Sequence, residues 1–157
     1  MATYPPPPQA SPASGTASGP RAGFFRRLAS VILDGLVLAV IWVPLVIIGH
    51  AANAAAVLLL IVPIALFYEI YFHGGPSGQT PGKKWMGIRV VDFNTGGPIG
   101  YGRATIRVIG RYISGIFCDL GYFWMLWDKE KQCWHDKIAN DVVVPVSAYP
   151  VEGGPTS

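Results

Sequence analysis

Two apolar runs lie back to back between Leu28 and Phe72, and each contains a single charge. Leu28 to Gly49 carries only Asp34, and Ala51 to Phe72 carries only Glu69. Each run is about 22 residues long; at about 1.5 Å rise per residue it spans a hydrocarbon core of about 30 Å. Buried helices of soluble proteins are shorter and keep a polar face. The pair therefore reads as a transmembrane hairpin. Composition agrees, since only 13% of the chain is charged against about 25% in ordinary soluble domains.

Residues 1–23 contain no apolar segment of the signal-peptide kind, and the first hydrophobic run is too long for one. Tyr4 and Pro5 to Pro8, followed by Ala, Ser, Gly and Pro, cannot bury enough apolar surface to fold. A disordered tail is expected there, as either a flexible tether or a docking segment. Arg21, Arg26 and Arg27 precede the first helix, and Lys83, Lys84, Arg89, Arg103 and Arg107 follow the second. The connection around His50 and Asn53 has no Lys or Arg. Both termini are thus expected in the cytoplasm, with the tight turn outside. Pro44 and Pro63 each remove a backbone donor and predict kinks. The alanines at 51, 52, 54, 55 and 56 would let the two helices approach closely.

After Phe72 the breaker cluster His73 to Gly78 marks the exit from the membrane. Ile88 to Val91 and Val142 to Val146 read as short β-strands, the second limited to a sheet edge or end by Pro145. If they pair, the loop and the C-terminal segment lie on one side of the bilayer. Between them Val108 to Trp127 is a third apolar segment, holding Arg111 and Asp119 and ending in aromatics suited to headgroup depth. It is expected as a re-entrant or interfacial helix, the alternative being a full third span.

The expected fold class is accordingly an all-α membrane protein with a kinked hairpin (28–49 and 51–72) and a small cytoplasmic β-element. A cytoplasmic loop (73–107), the third segment (108–127), a C-terminal motif (128–146) and a disordered tail (147–157) complete it.

Ionisable groups within hydrocarbon cost roughly 2.5–3.5 kcal/mol on insertion scales, so Asp34 and Glu69 are candidate functional residues. Arg27 precedes Asp34 by about two helical turns and shares its face, where it could partly balance the carboxylate. Such a carboxylate could alternate between proton and cation, or act as a structural lock. The Gly-rich loop before Lys83 fails as a phosphate loop, because Ser77 stands where the first Gly belongs and Lys84 where Ser or Thr belongs. Arg26, Lys83 and Lys84 are instead expected to meet anionic lipid headgroups. Cys118, Cys133, His50, His73 and His135 form no metal-binding spacing. No nucleophilic set or nucleic-acid surface stands out, so neither an enzyme, a cofactor nor a nucleic-acid partner is expected.

Three stretches in order resemble the RDD family of bacterial membrane proteins. They are Arg27-Leu28-Ala29 leading to Asp34, Gly78 through Lys84 continuing over Gly87-Ile88-Arg89 to Asp92, and Lys131-Gln132 with His135-Asp136-Lys137-Ile138-Ala139. By matching position, the arginine and two aspartates that name the family look like Arg27, Asp34 and Asp136; Gly82, Lys83, Gly87, Arg89 and His135 belong to the other motif positions. Asn140-Asp141 stands where the family often has Gly-Thr, which puts that turn's geometry in question. The proline-rich extension looks like the actinobacterial pattern. The resemblance implies a cell-membrane protein for which transport of ions or small ligands has been suggested. Two functions follow: an oligomeric cation/proton or small-solute transporter, or an accessory or scaffold subunit of a larger membrane complex. Lipid and a second copy or another subunit are the expected partners.

Overall fold

The computed structural model describes residues 19–50, 54–116 and 120–149. The expectations for the proline-rich segment before residue 19, for the turn at 51–53 with its two alanines, for Cys118 and Asp119, and for the tail from residue 150 lie outside them. The side chains of Ala54, Ala55 and Ala56 are likewise not described.

Helix α1 (Phe24–His50) and helix α2 (Ala54–Gly74) form the hairpin. Both run past the expected limits toward the motif end, α1 starting four residues before Leu28 and α2 ending two after Phe72. Hydropathy marks the stretch fit for lipid, whereas helical hydrogen bonding continues through Arg26, Arg27 and His73, which leave the apolar core. Both helices carry their proline internally. At the far end Gly49 packs against Val57, and a Cβ on Gly49 would lie 1.8 Å from a Val57 methyl. Phe24 to Ile47 is long and apolar enough to cross a membrane.

A short helix α3 (Pro81–Trp85) follows, with Thr80 as its N-cap and Pro81 at its first position. Strand β1 (Ile88–Asp92) pairs antiparallel with β2 (Asp141–Pro145), from Ile88 opposite Pro145 to Asp92 opposite Asp141. The expected strands thus meet, and Pro145 falls at the ladder's end. The valines of both strands are buried. Ala22 donates its N–H to Val143 O at 2.9 Å, and Arg21 pairs with Glu130 at 2.8 Å. Residues 21 and 22, expected within a disordered tail, are therefore tied to the sheet end of the molecule. Ala148 and Tyr149 likewise fold back, both donating to Pro145 O.

The described residues of the third apolar segment fall in several elements. Helix α4 (Gly100–Ile116) begins eight residues before Val108; α5 (Leu120–Phe123) and a 3-10 turn (Trp124–Leu126) come later. The physical reason is the inverted pattern of α4. Ala104, Arg107, Val108 and Ser114 point inward, while Ile106, Ile109, Ile113 and Ile116 are exposed. Helical spacing places the arginines on the buried face and the isoleucines on the outer one. A water-facing helix would have the reverse arrangement.

Helix α6 (Trp134–Ala139) packs so closely against α4 that a Cβ on Gly110 would lie 3.2 Å from His135 Cβ. It ends at Asn140, whose φ of 53° places it in the left-handed region favoured by Gly at helix ends. Asparagine tolerates this conformation better than other side chains, so the turn survives the replacement.

Helix α3 sits on α1 so tightly that a Cβ on Gly82 would lie 2.2 Å from Ser30 O. Gly82→Ala is expected to lower unfolding stability by about 2 kcal/mol, because backbone cannot yield like a flexible side chain. Detergent-phase melting checks this; an unchanged melting temperature would contradict the contact.

Candidate functional site

The buried polar residues form two connected centres. The first is built around Asp136, whose carboxylate is fully buried. Arg27 donates from Nη1 to Asp136 Oδ2 at 2.5 Å, Arg107 to Asp136 Oδ1, and Cys133 N–H to Oδ2 at 3.0 Å. Arg107 also bonds Asp141. Burial alone would raise the Asp136 pKa, but Arg107 and then Arg27 outweigh it and hold the group below the usual carboxylate range. Burial pushes Asp141 up to about 8, reinforced by Asp136 and only partly offset by Arg107. Burial, with Arg107 and Arg111 adding to it against Asp136, pushes His135 down to about 3.

Arg27 does not balance Asp34, as the shared helix face suggested. Its Nε donates to Ala22 O at 3.3 Å and its Nη2 to Lys131 O at 2.7 Å, so its guanidinium is turned toward the C-terminal motif. A partner 109 positions away is more accessible to it than one two turns deeper in lipid. Cys133, His135 and Asp136 bring three ligand-type atoms within 4.8 Å of one another. Arg27 and Arg107 occupy the carboxylate, and burial with Asp136 pushes the thiol up to about 12. That chemistry is an ion-paired polar core, hostile to a cation.

The second centre lines a cleft of about 540 Å³ between α1, α2 and α4, with α3 at its polar end. Asp34 accepts from Thr80 Oγ1 at 2.5 Å, Gly82 N–H at 2.8 Å and Tyr68 Oη at 3.0 Å. Its carboxylate thus fastens α1 to α2 and to the start of α3. Glu69 accepts from Arg111 Nη1 at 2.7 Å through Oε1, while Oε2 is buried with no partner among the described residues. Val31, Leu38, Trp42 and Ile116 supply apolar walls. Arg111, four residues after Arg107 on α4, thus ties Glu69 to that helix.

Lys83 corrects the headgroup expectation. It is buried, and its Nζ lies 2.9 Å from His73 Nε2. The turn of α3 directs Lys83 inward and leaves Lys84 exposed, as is Arg26. Arg89 is also buried and donates to Pro76 O at 2.9 Å, holding the breaker loop to β1. Gly87 has a φ of +62°, which permits the turn from α3 into β1. Sequence reasoning passed over Arg107, Arg111, Tyr68, Thr80 and Asp141. The four-residue spacing of Arg103, Arg107 and Arg111 in an otherwise isoleucine-rich helix was the available signal.

The RDD family profile matches residues 21–140, which contain both centres except Asp141. The chain belongs to the RDD family. This RDD protein is 36% identical over 84 residues to the Mycobacterium tuberculosis proline-rich antigen homolog, covering 52% of this chain and 35% of that protein. The Mycobacterium leprae proline-rich antigen is 31% identical over 86 residues, or 53% and 34% of the two chains. An uncharacterised Haemophilus influenzae protein is 33% identical over 96 residues, covering 61% and 55%. The chain spans about a third of the length of the mycobacterial relatives it matches. No solved structure matches it. Family and apolar α1 together make this a membrane-associated protein.

Burial, with Arg107 adding to it, pushes Lys83 down to about 8, whereas an unfolded lysine titrates near about 10.4. Between these values the unfolded chain holds a proton that the folded RDD protein has released, so stability rises with pH. The stability of the wild type relative to Lys83→Met is expected to rise by up to about 3 kcal/mol from pH 8 to 10.5. Unfolding titrations on both proteins check this; a flat difference would contradict burial of the charged amine.

Proposed function

We propose that this RDD protein is a multi-pass transporter exchanging a small cation for protons, with Glu69 as the exchanging carboxylate. The observation that carries the reading is Glu69 Oε2, a buried acceptor beside the cleft without a partner among the described residues. An unpaired carboxylate oxygen in a low-dielectric setting accommodates either a proton or a cation. Arg111 on Oε1 acts as the internal cation that an incoming ion must compete with. Asp34, with three donors on two oxygens, serves as the fastening point rather than the exchanging group.

The inward arginines and outward isoleucines of α4 support placing that helix against hydrocarbon or a second copy. The transport path is assigned to a homo-oligomer, since the helices of one copy enclose little volume. The motif end, with exposed Arg26 and Lys84 facing anionic headgroups, is assigned to the cytoplasm, as are both termini.

Everted vesicles containing the RDD protein should move protons when sodium or potassium is added, and empty vesicles should not. Glu69→Gln is expected to abolish the movement, whereas folded Asp34→Asn is expected to retain part of it. Wild-type vesicles indistinguishable from empty ones, or activity surviving Glu69→Gln, would overturn the proposal.

A further inference from the structure

Four buried polar atoms belong to residues around one small cavity at the junction of the two centres. Glu69 Oε2, His73 Nδ1, Tyr122 Oη and His135 Nδ1 are all buried without a hydrogen-bond partner among the described residues. The residues that carry them all line one cavity of about 20 Å³. A cavity needs about 10–15 Å³ to hold a water, together with two to four polar partners. This one meets both conditions.

The neighbours fix which atoms donate. Lys83 Nζ lies 2.9 Å from His73 Nε2, so an ammonium there makes Nε2 the acceptor and leaves the proton on Nδ1. His135 Nε2 lies 3.4 Å from Asp136 Oδ1. The carboxylate favours a proton on that nitrogen, leaving Nδ1 as an acceptor. His73 and Tyr122 therefore donate into the cavity, while Glu69 and His135 accept. Two donors and two acceptors complement one water. A metal cation would meet the His73 N–H, and a halide would meet the Glu69 carboxylate. The charged side chains around it include Arg27 of α1, Lys83 of α3, and Arg107 and Arg111 of α4, with the Asp136 carboxylate behind His135.

We propose that this cavity binds a single water that completes a proton relay from Lys83 through His73 to Glu69. The relay rests on the exchange reading above and supplies its proton. Lys83 Nζ releases a proton to His73 Nε2, and His73 Nδ1 passes its own to the water. The water passes one of its protons to Glu69 Oε2. The products are a neutral amine, the opposite His73 tautomer and a protonated Glu69, so atoms and charge balance. Tyr122 and His135 orient the water without exchanging protons with it.

Two measurements test this on the full chain. A high-resolution structure should show density in the cavity within hydrogen-bond distance, about 2.6–3.2 Å, of all four atoms. In sodium-driven vesicles, His73→Gln should slow proton movement about ten-fold or more, with the sodium KM unchanged. Gln retains hydrogen bonding but has no ring to exchange tautomers. Tyr122→Phe, which loses only a hydroxyl, should slow it less. A cavity without density, or wild-type rates in folded His73→Gln, would overturn the relay while leaving exchange standing. Wild-type vesicles without exchange would overturn the exchange reading and the relay together, with the density still deciding the water site.

Discussion

The Asp136 carboxylate, held between Arg27 and Arg107, is the interaction on which the other elements depend. It joins the start of α1, the buried face of α4 and the start of α6 at one fully buried point. Withdrawing a carboxylate from water costs several kcal/mol. Two guanidiniums and a backbone N–H offset that cost only while all three elements are in place. Arg107 then extends the tie to Asp141 at the start of β2, whose pairing with β1 returns the loop to the sheet. The hairpin, already bonded to the motif end through Asp34 and Glu69, is thereby fixed to it at a third point.

Asp34 performs a similar task one layer deeper. Its three donors come from α2, from the Thr80 cap and from the first turn of α3, so α3 lies directly on α1. That placement turns Lys83 toward His73 and makes it the polar end of the cleft. The cleft and the small cavity therefore share Glu69, His73, Lys83 and Arg111. The proposed exchange and relay both draw on groups beside those that the two aspartates hold.

Much of the architecture was legible because hydropathy and β-branched runs act locally. The hairpin, the two strands and the three motif stretches all follow from contiguous residues. The partner of Arg27 was not legible, because helical periodicity points to Asp34 seven residues on, whereas the carboxylate it meets is 109 residues away. Lys83 and Lys84 look alike beside a membrane; only the sharp capped turn at Thr80 distinguishes the buried one from the exposed one. The apolar content of 108–127 likewise concealed a helix that begins at Gly100 and turns its arginines inward. Hydrophobic composition reports the outer surface of a membrane helix, so the inward polar face is what it misses.

The pairing of Arg27 with Asp136 tests the account most directly, through a double-mutant cycle. Arg27→Met, Asp136→Asn and the double variant would be unfolded in detergent beside the wild type. A direct buried bond predicts a coupling energy of about 2 kcal/mol or more. Effects that add to within about 0.5 kcal/mol would mean the two residues act independently, and would contradict the tie on which this fold rests.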